Sequence, residues 1–173
     1  MVIRPVLKGF FSDNGGDVAI GIFENQSLGN FYYSLCRTPM EINDSVHTYA
    51  YPETEHADNR IDFFGKYYEG KIEAHYPDGR DKNMLPSSCY QTSIRILGGA
   101  SGGPVFNSKG SVIGINSTSF DAGHDEASSI SFVSDINDVF NIPLHGIDLP
   151  CGFRERITIE ELCHLDYIKI KNC

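Results

Sequence analysis

The nine residues 98–106, Gly-Gly-Ala-Ser-Gly-Gly-Pro-Val-Phe, place one serine hydroxyl inside a run of glycines. Glycine lacks a Cβ atom, so the backbone around Ser101 can turn and approach a substrate in ways that other residues prevent. A serine held there can project its hydroxyl while neighbouring backbone N–H groups point at a substrate oxygen. Acyl transfer requires this pairing of a nucleophile with an oxyanion hole. A surface turn between two strands could have the same composition, so the glycines alone leave both interpretations open.

The stretch resembles the nucleophile motif of the trypsin-like serine peptidases, Gly-x-Ser-Gly-Gly-Pro, which residues 99–104 reproduce in full. The chain that follows also resembles this family, because a polar turn at 107–110 separates two apolar segments. The resemblance implies that Ser101 is the nucleophile and that the N–H groups of Gly99 and Ser101 form the oxyanion hole. It also implies an antiparallel β-barrel fold, a polypeptide substrate and no cofactor.

A serine hydroxyl is a weak nucleophile and needs a base, usually a histidine that a carboxylate orients. In the chymotrypsin chain order the histidine comes first, then the aspartate, then the serine. Residues 17–22, Asp-Val-Ala-Ile-Gly-Ile, resemble the family's aspartate segment. Asp17 lies 84 residues before Ser101, close to the roughly 90 residues that separate these roles in that order. We therefore expect Asp17 to be the orienting carboxylate.

No histidine precedes Asp17. All six follow it and lie outside the family's Ala-Ala-His context: His47, His56, His75, His124, His145 and His164. We expect that the chain carries the end of a first barrel and a complete second one. It would then be a fragment of a longer peptidase, a chain with a misplaced start, or a protein that has lost activity. Removing the histidine lowers turnover by about 10⁶-fold, so the chain alone is expected to be nearly inert.

The resemblance also implies residues that bind the substrate. Ser117 matches a family serine near the aspartate, and Ser117, Thr118 and Ser119 would form the strand that pairs with an extended substrate backbone. Arg95, six residues before the nucleophile, falls where trypsin relatives have the pocket floor and would favour an acidic substrate side chain; alternatively, it points outward on a strand. Ala100 replaces the acidic residue of the digestive enzymes, so the pattern is closer to bacterial trypsin-like peptidases, including the HtrA type.

Composition excludes several other classes of protein. The 173 residues are 40% hydrophobic and 21% charged, enough for one folded domain. The net charge of −9 and the lack of clustered Lys and Arg argue against nucleic-acid binding. No apolar run is long enough to span a membrane, and residues 1–11 do not form a signal peptide. The five cysteines lack a CxxC pair, so we expect no metal site and either free thiols or one or two disulfides.

Short β-rich segments separated by Gly, Pro, Asn and Asp predict an antiparallel barrel or sandwich. The second strand is expected to stop at Pro52, and residues 121–129 to form an exposed loop. The predicted strands cover residues 18–23, 46–51, 71–76, 90–97, 105–106, 112–115 and 130–133.

Helices are predicted only late in the chain. Ser134 is expected to cap a short helix over residues 135–140. Thr158, with Glu161 three residues later, forms a capping-box pattern for a helix over residues 159–165.

These patterns predict a mainly all-β chain of three parts: a first-barrel remnant at 1–24, a second barrel at 25–143 and an appendage at 144–173. Two alternatives to a peptidase remain open. One is a non-catalytic member of the same fold that binds peptides or proteins. The other is an α/β-hydrolase, because residues 99–103 also fit Gly-x-Ser-x-Gly. That motif requires a helix after the serine, whereas Pro104 and a hairpin follow here.

Overall fold

The computed structural model describes residues 6–11, 16–23, 33–57, 60–95, 99–120 and 130–168. The described residues form ten strands, a 3₁₀ helix at Ile136–Asn141 and one α-helix that follows the last of these strands. The strands and the α-helix are β1 (Val6–Phe11), β2 (Ala19–Phe23), β3 (Ser45–Ala57), β4 (Arg60–Tyr76), β5 (Cys89–Thr92), β6 (Pro104–Asn107), β7 (Val112–Phe120), β8 (Ile130–Asp135), β9 (Pro143–Leu149), β10 (Gly152–Thr158) and α1 (Ile159–His164).

Six strands close into a barrel in the order β3-β4-β5-β8-β7-β6, and all of its neighbouring pairs are antiparallel. Closure leaves no unpaired edge on this sheet. Successive side chains of a strand point to opposite faces, so β3 sends Val46 and Ala50 into the core and leaves Tyr49 half exposed. The barrel is filled mainly by aliphatic side chains and Tyr90. The predicted antiparallel barrel is therefore confirmed.

Several strand limits differ from the predictions. β3 does not stop at Pro52 but continues to Ala57, so that prediction is wrong. The register between β3 and β4 shifts between Ala50 and Glu53, and proline is tolerated at such an irregularity because no ladder hydrogen bond is required of it. In contrast, β5 ends at Thr92 instead of continuing through residue 97. Residues 121–129 lie outside the described part of the chain.

The two short helices differ in how well their starts were predicted. The prediction that Ser134 caps the first is wrong, because Ser134 belongs to β8 and the cap is Asp135, whose carboxylate accepts from the Asn137 N–H. The capping box at Thr158 is confirmed, with both reciprocal bonds to Glu161 present, and its helix ends at His164. Hydrogen bonds to Thr158 hold the pKa of the Glu161 carboxyl below its usual value.

The β9–β10 hairpin and α1 were not predicted to contact the start of the chain. Phe10 and Val18 nevertheless share an apolar cluster with Leu144, Ile157 and Leu162. The Lys8 ammonium group also donates to the Gly146 carbonyl. The two ends of the described chain therefore form one second core beside the barrel.

Of the cysteines that the structure describes, Cys89, Cys151 and Cys163 are free thiols and Cys36 is disulfide-bonded. No group of His, Cys, Asp and Glu within the described ranges is arranged to hold a metal ion. None of the helices in those ranges is long and apolar enough to cross a membrane.

Candidate active site

A tight turn immediately before β6 presents Ser101. Gly99 has a φ of 87° and Gly102 a φ of 81°, the left-handed region in which side chains other than glycine are strained. The Gly103 N–H donates to the Ala100 carbonyl at 3.0 Å and closes the turn. Ala100 is buried in the barrel core, whereas Ser101 is exposed. The glycine run therefore anchors the turn on one side and projects the hydroxyl on the other.

Backbone hydrogen bonds join the turn to β7 at Asn116. The Gly102 N–H donates to the Asn116 carbonyl and the Asn116 N–H donates to the Gly103 carbonyl, each at 2.8 Å. The Ser101 hydroxyl then donates to the carbonyl of the next residue, Ser117, at 3.1 Å. The predicted nucleophile thus lies at the start of the segment predicted to bind substrate.

Ser117 also contacts the predicted carboxylate. Its hydroxyl donates to Oδ2 of Asp17, which stands just before β2. Ser117 therefore touches Ser101 through its carbonyl and Asp17 through its side chain, although Asp17 and Ser117 are 100 residues apart. The structure brings these three predicted residues together.

The N–H groups of Gly99 and Ser101 are the predicted donors of the oxyanion hole. Among the described residues, none accepts a hydrogen bond from the N–H of Gly99 or of Ser101. The β7–β8 register shifts between Asn116 and Ser119, so residues 117–118 depart from the regular ladder, as strands often do next to active sites. Thr118 is half-buried and Ser119 is exposed.

Arg95 is half-buried and lies three residues beyond the end of β5, outside the strands. The alternative in which it points outward on a strand is therefore wrong. No helix begins after Ser101, because β6 starts at Pro104, so the α/β-hydrolase alternative is also wrong.

None of the described histidine side chains is placed to act as a base for Ser101. The side chains of His56 and His124 lie outside the described part of the chain. His47 stacks on Phe106 with ring centroids 5.4 Å apart, on the outer wall of the barrel. No contact joins any described histidine to Ser101 or Asp17. The described histidine side chains are His47, His75, His145 and His164.

His75 belongs to a second group of serine, histidine and aspartate. Its Nε2 lies 3.3 Å from the Ser88 hydroxyl, which donates to Asp135 at 3.0 Å. The serine stands between the histidine and the carboxylate, so the histidine cannot accept the serine proton while the carboxylate orients it. Tyr90 donates to the same carboxylate at 3.3 Å, and burial followed by the charge of Asp135 raises the pKa of Tyr90 well above its usual value. This group is a structural network of the barrel.

A sequence profile of the trypsin-like peptidase domain matches residues 9–115, more than half of the chain. This chain belongs to the trypsin-like peptidase family. Among solved structures it is similar to an inactive, serine-to-alanine mutant form of Rv3671c from M. tuberculosis H37Rv, with 21% identity and a TM-score of 0.52. It is also similar to Deg5, with 20% identity and a TM-score of 0.52.

These similarities cover 79% of this chain and 60% of the Rv3671c chain, and 76% of this chain and 56% of Deg5. The chain thus spans about three-fifths of the length of these two solved structures, and identities at this level show the fold alone. No curated protein sequence matches the chain.

Two buried polar residues behind the turn were not predicted from the sequence, Thr48 on β3 and Asn116 on β7. The available signal was weak. Thr48 lies two residues from each of the apolar residues Val46 and Ala50. Side chains two residues apart share one face of a strand, so the Thr48 hydroxyl occupies an inward-facing position.

Proposed function

We propose that this chain supplies the nucleophile of a serine endopeptidase and that Ser101 attacks the scissile carbonyl of a polypeptide. The observation that carries the proposal is the convergence of Ser101 and Asp17 on Ser117. In the attack, the general base takes the Ser101 hydroxyl proton, the serine oxygen bonds to the substrate carbon, and negative charge develops on the carbonyl oxygen. The N–H groups of Gly99 and Ser101 would stabilise that charge. The protonated base then gives its proton to the departing amine, which leaves an acyl group on Ser101. Water attacks this ester, releases the carboxylic acid and restores the Ser101 hydroxyl.

The base in this proposal is a histidine other than the four with described side chains. One oxygen of Asp17 accepts from Ser117, and Oδ1 accepts no hydrogen bond from a described residue. That oxygen is suited to orient a histidine ring and to stabilise its protonated form. Without such a base we expect turnover about 10⁶-fold below that of the complete site.

The substrate would lie along residues 117–119. Residues 117–118 depart from the β7–β8 ladder, and this departure supports pairing of their backbone groups with an extended peptide, the strand-addition mode of recognition. Arg95 as a floor for acidic side chains remains a prediction of the resemblance.

The experiment that tests the nucleophile is labelling of the chain with a fluorophosphonate probe, followed by peptide mapping. We expect slow labelling at Ser101, acceleration by added imidazole acting as a general base, and no labelling of Ser101→Ala. Ser108→Ala, which removes an exposed serine from the β6–β7 turn, is the matched control and should label normally. Equal labelling of the wild type and Ser101→Ala would refute the proposal.

A second candidate function is peptide or protein binding without catalysis. Aromatic side chains project from the β3–β4 hairpin, and Tyr51 makes edge-to-face contacts with Tyr49 and Phe63 at 5.6 and 6.4 Å. Tyr49, Tyr51 and Phe63 are each 50% exposed, and exposed apolar patches mark interaction sites. This candidate predicts no labelling at Ser101 in the longest natural form of the protein, with or without imidazole.

A further inference from the structure

A buried polar path lies behind the turn that carries Ser101. The Asn116 Nδ2 group donates to the Thr48 hydroxyl at 2.9 Å, and that hydroxyl donates to the Pro104 carbonyl at 2.7 Å. Thr48 is 0% exposed and Asn116 is 2% exposed. The path therefore connects β7 and β3 to the residue at which the chain leaves the turn and enters β6.

Burying these polar groups costs free energy of folding in a barrel whose interior is otherwise mainly apolar. A buried polar atom without a partner destabilises a fold, because it has lost its hydrogen bonds to water. Oδ1 of Asn116 is such an atom, since it is buried and has no partner among the described residues. Valine at positions 48 and 116 would fill similar space without that loss. A costly polar pair at this place indicates a role beyond packing.

The role of Asn116 and Thr48 follows from the residues that their hydrogen bonds reach. The Asn116 backbone holds Gly102 and Gly103, and its side chain reaches Pro104 through Thr48. Hydrogen bonds from Asn116, directly or through Thr48, therefore restrain the three consecutive residues that follow Ser101. Two of them are glycines, whose backbone is otherwise free to rotate. Misplacement of a reacting group by about 1 Å lowers rates by about 100-fold.

We propose that Asn116 and Thr48 are positioning residues, which fix the turn at residues 99–104 and thereby the direction of the Ser101 hydroxyl. The effect on reactivity rests on the proposed function. The effect on the rigidity of the turn does not, so the two can fail separately.

The decisive variant is the double substitution Asn116→Val with Thr48→Val. The double substitution replaces both partners of the Asn116–Thr48 bond, which is often nearly neutral for stability, but it also removes the Thr48 donor to the Pro104 carbonyl, so we expect an unfolding midpoint moderately below that of the wild type. Hydrogen exchange at the Gly102 and Gly103 amides should nevertheless be about tenfold faster, because the turn loses its third anchor. Labelling of Ser101 should slow by at least a similar factor.

Two further variants keep the test interpretable. Thr48→Ser retains the hydroxyl and should restore exchange and labelling to within about twofold of the wild type. Thr92→Val removes another fully buried threonine hydroxyl, on β5, which has no partner among the described residues, and should leave the turn unchanged. If the double variant does not fold, amide exchange and Ser101 labelling are compared between Thr48→Val and Thr48→Ser. Faster exchange and slower labelling in Thr48→Val would then support the inference.

Turn exchange in the double variant within twofold of the wild type would overturn the inference. So would faster exchange with unchanged labelling, because the path would then hold the turn without positioning Ser101. Failure of the wild type to label at Ser101 counts against the proposed function instead, and the exchange rates still decide whether Asn116 and Thr48 hold the turn.

Discussion

The Ser117 hydroxyl offers the most direct perturbation of the candidate site. Ser117→Ala removes the donor to the Asp17 carboxylate but keeps the Ser117 carbonyl that accepts from Ser101. The substitution therefore separates Asp17 from β7 and leaves the nucleophile's own contact in place. It also removes a side-chain bond between the segment that leads into β2 and the barrel.

The expected magnitude follows from the exposure of the two groups. A hydrogen bond to a charged group contributes about 1.5–3 kcal/mol to stability. Asp17 is exposed and Ser117 is half-buried, so water replaces much of what is lost when the hydroxyl is removed. We therefore expect Ser117→Ala to lower the free energy of unfolding by about 1 kcal/mol, a change of about fivefold in the unfolding equilibrium constant.

The assay is urea unfolding followed by tyrosine fluorescence, since the chain has nine tyrosines and no tryptophan. Ser119→Ala, an exposed serine on the same strand, is the matched control and should change stability by less than about 0.5 kcal/mol. A double-mutant cycle with Asp17→Asn isolates the pair. A coupling energy below about 0.3 kcal/mol would show that Asp17 and Ser117 do not interact in solution, and the proposed role of Asp17 would lose its structural support.

Two further predictions concern the second core and the barrel interior. Bonds from the Thr158 backbone N–H and then from its hydroxyl lower the pKa of Glu161, so its carboxylate stabilises the fold at neutral pH, and this stabilisation is lost as the pH falls below the usual Glu value of about 4.5. Thr158→Ala removes only the hydroxyl, so the Glu161 pKa should rise only in part in an NMR titration; a Glu161 pKa at or above its usual value in the wild type would contradict the capping box. Burial raises the pKa of the Cys89 thiol, so iodoacetamide at pH 8 should modify exposed Cys151 quickly and Cys89 only after unfolding; equal rates in the folded protein would contradict the packing around β5.

Local chemistry made several features predictable. The glycine run around Ser101 indicates a turn, because Gly99 and Gly102 adopt backbone angles that favour glycine. The capping box at Thr158 is similarly readable, since both of its bonds join residues three positions apart. The family was also evident from residues 99–104 before the barrel was known.

The residues at which strands end were less predictable, because residues that are close in space but distant in the chain determine them. Pro52 reads as a strand terminator, yet β3 continues past it where its register against β4 shifts. Ser134 reads as a helix cap, yet pairing with β5 and β7 keeps it in the barrel, and Asp135 caps the helix instead.

The sequence by itself indicated the family and predicted the nucleophile, because such a turn is encoded by adjacent residues whose backbone freedom and hydroxyl can be recognised without their surroundings. Only the tertiary structure decided what surrounds Ser101. It placed Asp17 against Ser117, packed residues 143–168 on β1 and β2, and put the Thr48 and Asn116 pair behind the turn. These contacts join residues far apart in the chain. They depend on barrel closure and strand register, which local patterns do not record.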